Sequence, residues 1–168
     1  MRDGGLERAI DTLARTPQQL EGVLRLVPQE RWSWEPESWD GMPGERFSAV
    51  GQVCHVRDIE VEGYHVRIRR LLEEEDPDLV SLDSYQIARE RAYAQADPFR
   101  AIAEFGAARL ATIDLLAHLD ARQLERRGRF AEYGDITLRG LIYYLCSHDQ
   151  QHLACMQWLL GRMASQGR

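Results

Sequence analysis

His148 and His152 stand four residues apart in a stretch whose apolar positions, among them Leu141, Leu145, Cys155 and Leu159, recur at helical spacing. On a helix this places two imidazoles about 40° apart in azimuth and roughly 6 Å apart along the axis, on the stripe turned toward the core. A neutral imidazole buried there still has one donor and one acceptor nitrogen to satisfy, and a divalent cation can satisfy the acceptors of both rings at once. Taken alone the pair is a weak motif, since two core histidines bonded to backbone carbonyls or carboxylates show the same spacing. A third histidine, His55, lies near the start of another helical stretch, on the face it shares with Ile59, Glu62 and Val66. In a bundle that face can point into the same interior, so that three imidazoles could converge.

Candidates for supporting roles follow from spacing. Asp58 is one turn beyond His55 and can orient it as a hydrogen-bond acceptor; Glu62 is two turns along the same face and can act as a base or an extra ligand. Acidic residues on bundle helices ordinarily face water, and that is the competing reading of both. Cys155, three residues after His152, offers a soft ligand, against the plainer reading of a small core residue. Trp32, Trp34 and Trp39 can wall a pocket above the histidines or simply anchor the loop that carries them; the second is the ordinary use of such residues. Arg31, Arg46 and Arg57 can meet an anion but read as surface residues, and His65 and His118 read as surface or capping groups.

The elements that must position these residues are helical. Apolar residues at Leu6, Ile10, Leu13, Leu20, Leu24 and Val27 give a first helix, with Thr16-Pro17 either restarting or kinking it and Pro28 ending it. Residues 30–47 hold three tryptophans among prolines and glycines, an ordered loop. Ser48 behind Phe47 caps a long second helix to about Glu75. Asp76-Pro77-Asp78 stops it, and a crossover over 79–84 leads to a short extra helix over about 85–95. Asp97-Pro98 opens a third long helix to about Leu119; a charged connection over 120–135 follows, with room for a short extended pair around Phe130 and Tyr133. Thr137 caps the last helix, which runs to about Gly161. Strand-like alternation is nearly absent, so residues 1–168 read as a single all-α domain: four helices around one core with a long crossover after the second.

Composition narrows the function. The chain has 168 residues, enough for one full core, and its 21 basic residues, all Arg, are interleaved with 27 acidic ones for a net charge of -6. A nucleic-acid or membrane-surface role needs a concentrated positive face, and neither is expected. The absence of Lys excludes a lysine Schiff base. Three cysteines without a CxxC pair fit reduced thiols, and the lack of a leader-like or membrane-spanning apolar run points to a cytoplasmic protein.

The segments Phe47-Ser48-Ala49-Val50, Cys54-His55-Val56-Arg57-Asp58-Ile59-Glu60 and Ser147-His148-Asp149-Gln150-Gln151-His152 resemble the DinB-like superfamily of damage-inducible proteins, which includes the YfiT-like metal-dependent hydrolases, over nearly the whole chain. The resemblance implies a four-helix bundle, a homodimer, and one divalent ion, nickel or zinc, on His55, His148 and His152. It also implies an unidentified small-molecule substrate, in some relatives a low-molecular-weight thiol. Three neutral nitrogen ligands leave such an ion at least one open position for a water or a thiol, the arrangement of a catalytic site, so hydrolysis and thiol transfer are both chemically open. The competing expectations are a non-catalytic metal-binding or stress-response module and a helical interaction protein whose histidines only satisfy hydrogen bonds.

Overall fold

Ser48, Asp97 and Thr137, the three polar residues expected to open long helices, each accept a hydrogen bond from a backbone N–H of the following turn. The computed structural model describes residues 4–131 and 133–166. Its long helices are α1 (Gly4–Leu24), α2 (Ala49–Asp58) continued by α3 (His65–Glu73), α5 (Pro98–Ala117) and α7 (Leu138–Ser165), with short helices α4 (Ser84–Glu90) and α6 (Ala121–Leu124) in the connections. These form a four-helix bundle in which α1 packs on α5 and α7, and α2 on the same two helices. No described helix is long and apolar enough to cross a membrane.

Two irregularities interrupt the regular helical hydrogen bonding. Helix α1 runs unbroken through Pro17. A proline has no N–H to give to the carbonyl four residues earlier, and that carbonyl, Leu13 O, instead accepts from Arg109 Nη1 of α5 at 3.0 Å. The expected single helix from Ser48 is instead two α-helical segments joined by a π-helical turn, Ile59–Tyr64. A π turn carries one extra residue, so every side chain beyond Asp58 slips by one position relative to the α-helical register.

The connections also hold a small sheet. The extended pair is a hairpin of β2 (Arg127–Phe130) and β3 (Gly134–Thr137), and β1 (Asp78–Leu79), in the segment read as bare crossover, joins β2 in parallel. Gly128 makes this approach possible: a Cβ there would lie 2.7 Å from Leu71 Cδ2 and 2.8 Å from Pro77 O. The extra helix stops at Glu90, shorter than the pattern predicts, and gives way through Ala92, at φ 47°, to a 3₁₀ turn over Tyr93–Gln95.

The core has two apolar clusters with a polar layer between them. On α7, Leu138, Leu141, Ile142 and Leu145 belong to one and Met156, Leu159 and Met163 to the other, with His148, Asp149 and His152 in between. On α5 the division falls at Arg109 and Thr112, on α1 at Thr16, and on the second long helix at His55, Asp58 and Glu60. Buried polar groups at one level of all four helices must satisfy one another or bind something, because each unpaired one costs of the order of 1–3 kcal/mol.

Candidate metal centre

His55 from α2 and His148 and His152 from α7 meet in this layer. The Nε2 atom of His148 lies 3.2 Å from His55 Nε2 and 3.1 Å from His152 Nε2. Gln52, fully buried one turn before His55, fixes the protonation of His152. Its Nε2 donates to the carbonyls of Glu45 at 2.9 Å and Phe47 at 3.2 Å, which leaves its Oε1 to accept from His152 Nδ1 at 2.5 Å. With its proton on Nδ1, neutral His152 presents a bare lone pair at Nε2. Burial, reinforced by the neighbouring imidazoles, holds His55 and His152 well below the usual histidine range, so both are neutral at pH 7. One proton on His148 Nε2 can serve only one neighbour, whereas a divalent cation among the three rings satisfies every acceptor. The donor set therefore fits a metal ion.

A carboxylate stands beside the histidines from an unexpected quarter. Glu45, in the tryptophan-bearing loop, places Oε1 3.6 Å from His55 Nε2 and Oε2 3.5 Å from His152 Nε2. Its loop is pinned on several sides: Gln151 Nε2 donates to Pro43 O at 2.9 Å, Arg46 N donates to the Tyr85 hydroxyl, and Phe47 packs on the ring of His55. Gly44 lies against α7, where a Cβ would come within 2.8 Å of Gln151 Cγ and 3.0 Å of Cys155 Sγ.

Behind the histidines the rest of the layer closes on itself. Arg109, almost wholly buried, donates from Nε and Nη2 to the Glu60 carboxylate at 2.8 and 2.9 Å, and from Nη1 and Nη2 to Asp149 at 2.5 and 3.2 Å. Thr112 donates to Glu60 and accepts from His65 Nε2 at 2.8 Å. Asp149 Oδ1 is 3.8 Å from His148 Nδ1, too far for a hydrogen bond, and His148 Nδ1 is buried without a hydrogen-bond partner among the described residues. Burial would raise the Asp149 carboxyl, but His148 and Arg109 beside it bring it below the usual range.

The remaining expectations fare differently. Asp58 does not orient His55: its Oδ1 accepts from Arg57 at 2.7 Å, its Oδ2 accepts from the Tyr93 hydroxyl at 2.6 Å, and Arg91 pairs with it at 2.9 Å. Burial disfavours its charge, yet these hydrogen bonds and arginines hold its carboxyl below the usual range. Glu62 is carried off the His55 face by the π turn; it is half exposed and pairs with Arg91. Cys155 is a core residue whose thiol is pushed up to about 12, first by burial and then by Glu45. Trp39 stacks on Trp158 and Trp32 packs edge-on against Phe99, so these tryptophans fasten the loop to the bundle.

A cavity of about 350 Å³ opens over His55 and His148. Its walls include Glu45, Tyr64, Arg67, Tyr144, Ser147 and Gln151, and none of the three loop tryptophans. Arg67 spans the Tyr64 and Phe130 rings and donates from Nε and Nη2 to Val80 O.

The sequence matches the DinB superfamily over residues 12–156. Among solved structures it is similar to YfiT from Bacillus subtilis, described as a probable metal-dependent hydrolase with an unusual four-helix bundle topology. The TM-score is 0.84 at 21% identity, covering 98% of this chain and 90% of that chain. No curated protein sequence matches.

Proposed function

Because the chain belongs to the DinB superfamily and aims three imidazole nitrogens at one point in its core, we propose that it is a metal-dependent enzyme of the hydrolase type acting on a small molecule. The observation that carries this reading is the meeting of the three Nε2 atoms with the His152 lone pair fixed by Gln52. His55, His148 and His152 would hold one divalent ion, and an all-imidazole set suits zinc or nickel. When bound, such an ion acts as a Lewis acid and lowers the pKa of a water toward about 7.

The chain's own residues supply the rest. Gln52 sets the tautomer and ring angle of His152, and Arg109 anchors the α7 turn that carries His148 by way of Asp149. Two carboxylates around one guanidinium leave the layer behind the histidines net negative, a field that favours a cation beside them. The cavity is of the size that takes a small metabolite, with aromatic faces from Tyr64 and Tyr144 and polar groups from Ser147 and Gln151 at its wall.

The test is the metal content of untagged protein by elemental mass spectrometry, beside the His148→Ala variant. About one divalent ion per chain, lost in the variant, is the expected result, and ester and amide substrates are then screened with that metal. Protein that carries no metal and refuses added zinc and nickel overturns the reading.

A further inference from the structure

We propose that Glu45 is a fourth metal-binding group, a loop carboxylate that completes the three-histidine set and must yield its place to an incoming anion. The inference rests on the metal-centre reading and goes beyond it, since three neutral histidines leave the double charge of a divalent ion uncompensated and a coordination position open. The carrying observation is a set of electron-pair donors facing one another. His152 Nε2 is a lone pair because its proton is spent on Gln52, and Glu45 Oε2 lies 3.5 Å from it with lone pairs of its own. Glu45 Oε1 lies 3.6 Å from His55 Nε2. Acceptor against acceptor in a buried site is repulsive unless a cation lies between them.

The carboxylate turns one oxygen to each of two histidines. Donors held tetrahedrally at about 2.0–2.2 Å from one ion stand about 3.3–3.6 Å apart. Each Glu45 separation is from a different oxygen, Oε1 to His55 at 3.6 Å and Oε2 to His152 at 3.5 Å, so the carboxylate borders the three-histidine set on the side of these two rings, within reach of an ion held there. The position is also built, because one side chain, Gln52, grips the Glu45 backbone carbonyl with its amide nitrogen and His152 with its amide oxygen. Gly44 lets the loop approach α7 closely enough to do this. Glu45 also lines the cavity, so whatever enters by that route meets the carboxylate at the site, and an anion competes with it.

The experiment measures zinc affinity of the full chain by competition with a chromophoric chelator for wild type, Glu45→Gln and Glu45→Asp, and then titrates the cobalt-loaded proteins with azide by visible absorption. Glu45→Gln is expected to bind zinc about 10–100-fold more weakly and azide more tightly than wild type, with Glu45→Asp between the two. The Glu45 side chain is about 30% exposed and the loop is tied by its backbone, so the metal-free melting temperature should not move. A zinc affinity in Glu45→Gln within twofold of a normally binding wild type overturns the role of Glu45 alone. A wild type that binds no zinc overturns the three-histidine reading beneath it.

Discussion

Two groups of polar side chains share the middle layer of this bundle, and they solve the problem of burial in opposite ways. Around Arg109, donors and acceptors match: its guanidinium faces two carboxylates and the carbonyl that Pro17 leaves without a helical partner, and Thr112 and His65 complete the set. Around His148 they do not: three imidazole nitrogens and a carboxylate converge, His152 gives its proton to Gln52, and one proton on His148 Nε2 can serve only one of the two neighbouring rings. A network that closes on itself is architecture. One that remains open inside a core marks a place where something from outside completes the bonding, because nothing else offsets the desolvation of those groups. The two sets touch at the neighbours His148 and Asp149, so the closed one can serve as the rigid backing of the open one.

The largest effect is expected at Arg109. Arg109→Met leaves Glu60 and Asp149 as buried, unpaired carboxylates and should cost about 3–5 kcal/mol in urea unfolding. A loss below about 1 kcal/mol would mean that the closed set does not hold the layer together. The open set should behave in reverse. Zinc at 100 times its Kd is expected to stabilise the wild type by about 2.7 kcal/mol and His148→Ala hardly at all, while metal-free His148→Ala stays within about 1 kcal/mol of wild type. If His148→Ala unfolds as readily as Arg109→Met, the histidines are structural and the distinction between the two sets fails.

The open set was the part most legible in the sequence, because a four-residue spacing on an apolar stripe survives into the helix unchanged. His148 and His152 sit on α7 where the periodicity puts them, and His55 follows the Ser48 cap by less than two turns. The closed set was hidden for two reasons. Arg109 occupies the stripe of Phe105, Thr112 and Leu116, four residues after the first, but an arginine among twenty others gives no sign that it points inward. Glu60 and Glu62 exchange roles because of the π turn: in a regular helix Glu62 shares the His55 face, and the extra residue turns Glu60 inward and Glu62 out. No residue pattern announces such a turn. Glu45 was invisible for a different reason, since a loop residue reaches its place through contacts between distant segments, here Gln52 and Gln151.

Asp58 and Glu62 give the finer tests. Asp58→Asn should cost about 1.5 kcal/mol at pH 7, because a buried carboxylate loses charge-assisted bonds from Arg57, Arg91 and Tyr93. Its folded pKa lies below the unfolded value of about 3.9, so its contribution is full above that value and is lost as the pH falls through the folded one. The gap between wild type and variant should therefore narrow in unfolding curves taken from pH 7 down to about pH 2; a gap that stays constant would assign the effect to packing.

Glu62→Ala should do least of all. Its partner Arg91 is also about 40% exposed, water competes for both, and Arg91 keeps Asp58 when Glu62 is gone. Stability should change by no more than about 0.5 kcal/mol and zinc affinity not at all. This small effect tests the register directly, because the same carboxylate in an uninterrupted helix would face His55. A tenfold loss of zinc affinity in Glu62→Ala would mean that the second long helix lacks its π turn, and that the division between an open set at the histidines and a closed set around Glu60 and Arg109 must be redrawn.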